Sequence, residues 1–150
     1  MTLLKIMMAK RSKRLSPVAR FAGTREQQAA VHMAESQRKL DAHNARLLEL
    51  VQYRDEYAKA FQQAGSNGLE AIPMRDFQVF LEKLGNVISS QRSLVSQAQE
   101  EHAKTKTQWL KLRGKAQALD KVVSRYQLEE RRQDASREQN EADEHAQTRR

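Results

Sequence analysis

FQVFLEKLGNVISSQRSLVSQAQEEHAKTKTQWLKLRGKAQALDKVVSRY, residues 77–126, holds a seven-residue hydrophobic repeat almost without a break. With a at Leu81 and d at Leu84, the a positions are Leu81, Ile88, Val95, His102, Trp109, Ala116 and Val123. The d positions are Phe77, Leu84, Gln91, Ala98, Thr105, Leu112, Leu119 and Tyr126. All but Gln91, His102 and Thr105 are apolar, and no proline follows Pro73. A period of 3.5 sustained over this length predicts a long helix with one apolar seam, and that seam must pack on another helix.

Upstream, a second and noisier seam runs through Met33, Leu40, Leu47, Leu50, Tyr57, Phe61 and Ala64, interrupted by Ser36, His43 and Arg54. Between the two lies Gly65-Ser66-Asn67-Gly68, followed by Leu69 to Pro73. The glycines are expected to supply left-handed positions that break the first helix. One break between two helical patterns predicts an all-α fold, an antiparallel two-helix coiled-coil hairpin. Ser16-Pro17 reads as an N-cap followed by proline at the first helical position, and Thr24 with Gln27 as a second candidate start. The expected boundaries are a basic flexible arm over 1–15 and a single hairpin over 16–147. Within it, helix one covers about 17–64, the turn 65–73 and helix two about 74–147.

With the turn centred near residue 70, Tyr57 falls level with about Glu82 and Leu40 with about Glu100. Helix one then runs out opposite residues 115–123. Helix two continues, roughly 110 Å long at 1.5 Å per residue. Its last stretch, SRYQLEERRQDASREQNEADEHAQTRR (124–150), has no seam after Leu128. It is expected to overhang with little intrachain partner, as a marginal helix held by i,i+4 ion pairs or a segment ordered by a partner.

The composition suits such a rod. Hydrophobic residues make up 39% and aromatic ones only 5%, enough for one stripe per helix but lean for a globular core. There is no cysteine, hence no disulfide, thiol nucleophile or thiolate metal site. No apolar run approaches the length of a membrane span. Met1 to Met8 is apolar apart from Thr2 and Lys5, but its basic residues follow the apolar run, the reverse of a signal peptide. Met1 and Met8 both stand as starts. The net charge of +8 is uneven: residues 1–20 carry six basic and no acidic side chains, and the rest carry 21 against 19. The arm reads either as a solvated start or as an electrostatic contact for an acidic protein surface, phospholipid or nucleic acid.

Chemistry-bearing patterns are scarce. No glycine-rich phosphate loop occurs, and no two of His32, His43, His102 and His145 have helical metal-ligand spacing. His43 and His102 fall on seam positions, where a polar residue sets register. The expectation is no enzyme, no cofactor, no metal and no small-molecule substrate. The aromatics say more. Tyr53, Tyr57 and Phe61 form an i, i+4, i+8 line, and Phe80, Leu84 and Val87 face it at the same level. Phe80, Val87 and Leu94 are at g positions beside the seam, so the apolar face is wider here than two helices need. It serves either a fatter core or, through Tyr53, Phe80 and Val87, a partner protein.

Taken in order, a proline near the start of helix one, LLELVQYRDEYAKAFQQAG (47–65), FQVFLEKLGNVISSQ (77–91), the tryptophan of TQWLKLRGKAQALDKV (107–122) and REQNEADEHA (137–146) resemble the FliJ family of bacterial flagellar export proteins. The resemblance covers about residues 15–147. It implies a coiled coil similar to the γ stalk of rotary ATPases, working in the flagellar type III export apparatus. It implies three partners: the hexameric export ATPase, the cytoplasmic domain of the membrane export gate, and export chaperones. It also implies a cytoplasmic protein peripherally associated with the inner face of the membrane at the flagellar base. The gate contact then falls on Tyr53, Tyr57, Phe80, Leu84, Val87 and Gln91. The ATPase contact falls on Glu130, Arg131, Arg137, Glu138, Gln139, Asp143 and Glu144. A virulence-system stalk shares the same physics, and genomic neighbours would separate the two. A nucleic-acid-binding hairpin is the reading from another class. Against it, residues 21–150 carry only +2 and show no basic stripe along one helix face.

Overall fold

The structure, a computed structural model, describes residues 10–66 and 73–149. The arm before Lys10, with both candidate starts, and most of the expected turn, including Gly68, lie outside the described residues. Of the described residues 98% are helical, in two elements: α1, Arg11–Ser66, and α2, Met74–Thr148. The chain divides into two compact units, Val31–Thr107 and Met1–Ala30 with Gln108–Arg150. In each, a stretch of α1 packs antiparallel on a stretch of α2.

In the Val31–Thr107 unit the core is Leu50, Leu84 and Ile88, with Leu47, Val51 and Phe80 packed around it. Ile88 is the most enclosed of these at 2% exposure. Every a and d position of α2 from Phe77 to Thr105 is buried or half-buried, as the heptad predicts. So are Met33, Leu40, Leu47, Leu50, Tyr57, Phe61 and Ala64 of α1, together with the polar Ser36, His43 and Arg54. The interrupting residues therefore belong to the seam, and two of them meet polar partners on α2. Ser36 Oγ lies 2.7 Å from Thr105 Oγ1 and 3.2 Å from His102 Nδ1. Gln91 Nε2 donates to the His43 carbonyl oxygen at 3.0 Å and lies 3.3 Å from His43 Nδ1. Arg54 carries its head outward to Asp55 at 3.3 Å. Among the described residues no buried side-chain nitrogen or oxygen lacks a partner, as polar groups taken out of water require. The observed pairings keep to within a few residues of the register read from the sequence.

The Met1–Ala30, Gln108–Arg150 unit has a smaller seam. Ala19, Ala29, Ala116 and Val123 are its buried apolar residues, and α1 continues the same heptad through Ser12, Leu15, Ala19, Ala22, Glu26 and Ala29. Trp109 Nε1 donates to Glu26 Oε1 at 2.7 Å, so the seam tryptophan meets a seam carboxylate. Arg113 covers the indole at 5.1 Å from its centroid.

Helix α1 starts before Ser16-Pro17, which corrects the expected boundary: residues 11–15 are helical, not arm, and Pro17 sits inside the helix. The cause is a cap supplied by the other helix. The Lys10 carbonyl accepts from the Lys13 amide at 3.0 Å, making Lys10 the capping residue, although its side chain accepts nothing. The orphaned Ser12 amide donates instead to Glu130 Oε1 at 3.2 Å, and Ser12 Oγ donates to Glu130 Oε2 at 2.6 Å. Lys10 Nζ donates to Asp134 Oδ2 at 2.8 Å, and Arg11 lies over the Tyr126 ring at 5.7 Å. The first turn of α1 carries no acidic residue, so these two α2 carboxylates supply the negative charge its positive end favours. The expected overhang from Ser124 is corrected likewise: α2 has intrachain partners as far as Asp134. From Ala135 to Arg149 every residue is exposed. Gly65 is a helical residue of α1 with no left-handed φ, so it does not make the break expected of it.

Three expected outcomes follow from this packing. Gly85 and Gly114 lie inside α2 with open space where a Cβ would project. Gly85→Ala and Gly114→Ala should each stabilise the protein by about 1 kcal/mol in urea titrations followed by circular dichroism. Ile88→Ala should destabilise it by about 2–4 kcal/mol. The third concerns acid. The Ser12 hydroxyl, and after it the Ser12 amide and the Lys10 charge, hold Glu130 below the ordinary carboxylate range. The Lys10 hydrogen bond and charge do the same for Asp134, and Asp134 raises Lys10 in return. Depressed carboxylates contribute stability above their unfolded values and lose it as pH falls through the folded ones. The raised lysine contributes below its unfolded value and loses it as pH rises through the folded one. Amide-exchange protection at residues 12–14 should therefore hold near neutrality and fall below about pH 4. Glu130→Gln should lower it at neutral pH and flatten its acid dependence. Equal protection at pH 3 and pH 6 in the parent would show that the clasp does not hold the helix end.

Candidate functional site

Near the start of α2 the seam widens into an aromatic stack. Phe61 and Phe77 lie face to face at 3.7 Å between centroids, and Tyr57 stacks on Phe77 at 5.6 Å and leans on Phe80 at 4.3 Å. Tyr53 meets Phe80 edge-on, 6.2 Å away at 72°. Beyond this stack a shallow groove of about 530 Å³ opens on one side of the seam. Its floor is Leu50 and Leu84, its walls Tyr53, Phe80 and Val87, and Arg46, Glu49 and Lys83 stand at its rim, Arg46 donating to Glu49 at 3.3 Å. Tyr53 is 52% and Val87 49% exposed, and Leu94, 42% exposed, follows Val87 one heptad on. Large apolar side chains left open in a row beside a satisfied core are what a partner surface provides.

The six residues assigned to this surface from the sequence separate by depth. Tyr53 and Val87 are open and Phe80 is half-buried. Tyr57 is half-buried and engaged in the stack, so it serves the core. Leu84 is buried and reaches the groove only as floor. Gln91 is buried and bonded to His43, so it is removed from the contact set. Arg46 and Lys83 were not anticipated. Their signal was present in the heptad, since Arg46 and Tyr53 occupy corresponding flank positions of α1 and Lys83 the outer flank of α2.

The seven residues assigned to a second contact separate in the same way. Arg131, Arg137, Glu138, Gln139, Asp143 and Glu144 are exposed on helical backbone. Glu130 is half-buried and taken by Ser12, which corrects its assignment as a free contact. The segment offers alternating charge and no apolar stripe. It suits many weak polar contacts with a charged surface and cannot bury a core of its own. His43 and His102 are held in the seam by Gln91 and Ser36, consistent with setting register. Among the described residues no group of three or more His, Asp or Glu side chains is placed to hold a metal.

Neither a curated protein nor a solved structure is significantly similar to this chain. The family profile described as flagellar FliJ protein matches residues 11–149, which takes in α1 from its first residue and α2 to its last. With two long antiparallel helices, the YRDEY stretch at the aromatic stack and the charged end of α2 all inside that match, the chain belongs to the FliJ family, non-enzymatic components of the flagellar protein export apparatus.

Proposed function

We propose that the chain is the stalk of the flagellar export apparatus, binding the export ATPase ring through the exposed end of α2 and the membrane export gate through the groove at Tyr53. The observation that carries this reading is the division of labour within the packing. The seam satisfies its own polar groups, yet Tyr53 and Val87 stay open in one groove beside the half-buried Phe80, and residues 135–148 stay exposed as helix. The groove offers apolar surface rimmed by the Arg46–Glu49 pair and Lys83, suited to a protein patch that is apolar at its centre and polar at its edge. The end of α2 offers six arginines against seven carboxylates over 125–150. Near-balanced charge of this kind suits a helix seated in a ring wall through dispersed polar contacts. Export chaperones share this apparatus and are the third class of partner. On this reading attachment to the gate is peripheral and from the cytoplasmic side; no helix among the described residues is long and apolar enough to cross a membrane.

Two variants separate the contacts. Tyr53→Ala with Val87→Ala should weaken binding to the gate's cytoplasmic domain at least tenfold, about 1.4 kcal/mol, with helicity and melting unchanged because both side chains are half outside the core. Deleting residues 138–150, which leaves the Glu130 and Asp134 contacts intact, should abolish stimulation of the ATPase hexamer and sharply reduce motility. A double variant that unfolds, or a truncated protein that stimulates the ATPase in full, would overturn the corresponding half of the proposal.

A further inference from the structure

We propose that one face of the Met1–Ala30, Gln108–Arg150 unit binds the surface of an anionic phospholipid bilayer. On α1, Arg14, Val18, Phe21 and Arg25 recur at i, i+4, i+7 and i+11, one stripe of the helix, and all four are exposed. Phe21 is the most exposed large hydrophobic residue among those described, at 65%, and Val18 is 48% exposed. These are the c and g positions flanking the seam. The matching flank of α2 carries Lys111, Lys115 and Arg125, all exposed, around a half-buried Val122.

The two flanks lie on the same side of the helix pair. Arg11 and Arg14 share a groove with Tyr126 and Glu129, whereas Ser16 and Gly23 share the opposite one with Asp120. The Ser12–Glu130 and Glu26–Trp109 pairings fix the register and set Phe21 alongside Lys115. Among the c and g positions of this unit's described residues up to Glu129, the only acidic side chain is Glu129 itself, at the Arg11 end. None of Arg14, Arg25, Lys111, Lys115 and Arg125 is in an ion pair among the described residues. The face therefore presents cations outside ion pairs around an apolar centre of Phe21, Val18 and Val122, with the carboxylates Glu129, Glu130 and Asp134 gathered at its Arg14 end.

That composition selects an occupant. Cations with an apolar centre match an anionic headgroup layer over an acyl boundary, into which Phe21 and Val18 insert while the long basic side chains stay with the phosphates. A nucleic-acid face would use several stacking aromatics or amide and hydroxyl readers, and Phe21 is the one aromatic side chain on the stripe. Each basic side chain close to an anionic leaflet is worth about a fivefold gain in partitioning. A handful of them with one inserted ring gives reversible, salt-sensitive binding. This contact needs neither the ATPase nor the gate.

The test is co-sedimentation of the full chain with vesicles of phosphatidylcholine alone or with about one-third phosphatidylglycerol, at about 0.1 and 0.5 M salt, where screening lengths differ about twofold. The expected result is at least tenfold stronger partitioning into the anionic vesicles, lost at high salt. Arg14→Gln with Arg25→Gln should lower it at least tenfold, and Lys111→Gln with Lys115→Gln should lower it independently from the other helix. Phe21→Ser should lower it several-fold at constant charge. Melting should be unchanged in all three, and Tyr53→Ala with Val87→Ala should bind vesicles like the parent. Equal partitioning into both vesicle types, or vesicle binding indifferent to Phe21→Ser, would overturn the proposal. So would tighter binding to single-stranded RNA than to anionic vesicles, which would make the face a nucleic-acid surface.

Discussion

Buried polar groups in a coiled-coil seam must meet other polar groups, and this constraint fixes which part of α1 lies against which part of α2. Leucine against isoleucine is nearly as good one heptad away, so an apolar seam alone leaves the register loose. Ser36 opposite Thr105 and His102, and His43 opposite Gln91, are satisfied at a single register. Slipping the helices by seven residues breaks this set: one way Ser36 takes the place opposite Gln91 and His43 faces Leu84 and Ile88, the other way His43 takes the place opposite His102 and Ser36 faces Trp109 and Leu112. A polar group orphaned in this way costs about 1–3 kcal/mol. Glu26 with Trp109 and Ser12 with Glu130 apply the same rule where the apolar seam thins to alanine and valine. There the hydrogen bonds carry proportionally more of the specification, since small side chains bury little area.

Because a and d positions do the packing and the register-setting, the c and g flanks are free to differ. Beside the aromatic stack they carry Tyr53, Phe80 and Val87. On the Phe21 stripe they carry arginines and lysines around a single ring. A substitution on these flanks changes what the helices touch outside themselves with little effect on how they pair. For this reason surface function and fold can be probed by separate mutations in this protein.

The sequence displayed the α2 seam in full, because a strict 3.5 period of large residues has no competing reading. It displayed the lower half of α1 for the same reason, even though Ser36 and His43 looked like noise until their partners on α2 were known. The first third of α1 was harder to see. Its seam residues are serine, glutamate and alanine, which carry no hydropathy signal, and its cap comes from Glu130, more than a hundred residues away. Local rules pointed to Ser16-Pro17, and a tertiary hydrogen bond overrode them. Among the candidate contacts, heptad position separates the cases: g residues such as Tyr53 and Val87 are open, whereas Leu84 and Gln91, both at d, are enclosed. The basic arm was legible only as a charge excess. The stripe that organises its inner part with α2 emerges once the two helices are paired.

The register is tested most directly by cysteine cross-linking, because the chain has no cysteine of its own. Ser36→Cys with Thr105→Cys replaces a pair whose oxygens are 2.7 Å apart. On mild oxidation it should form an intrachain disulfide in nearly every molecule, without loss of helicity. Ser36→Cys with Gln91→Cys, which would join Ser36 to the residue bonded to His43 one heptad away, should not. Efficient cross-linking of the 36–91 pair, or disulfides that join two chains in preference to closing within one, would contradict the account.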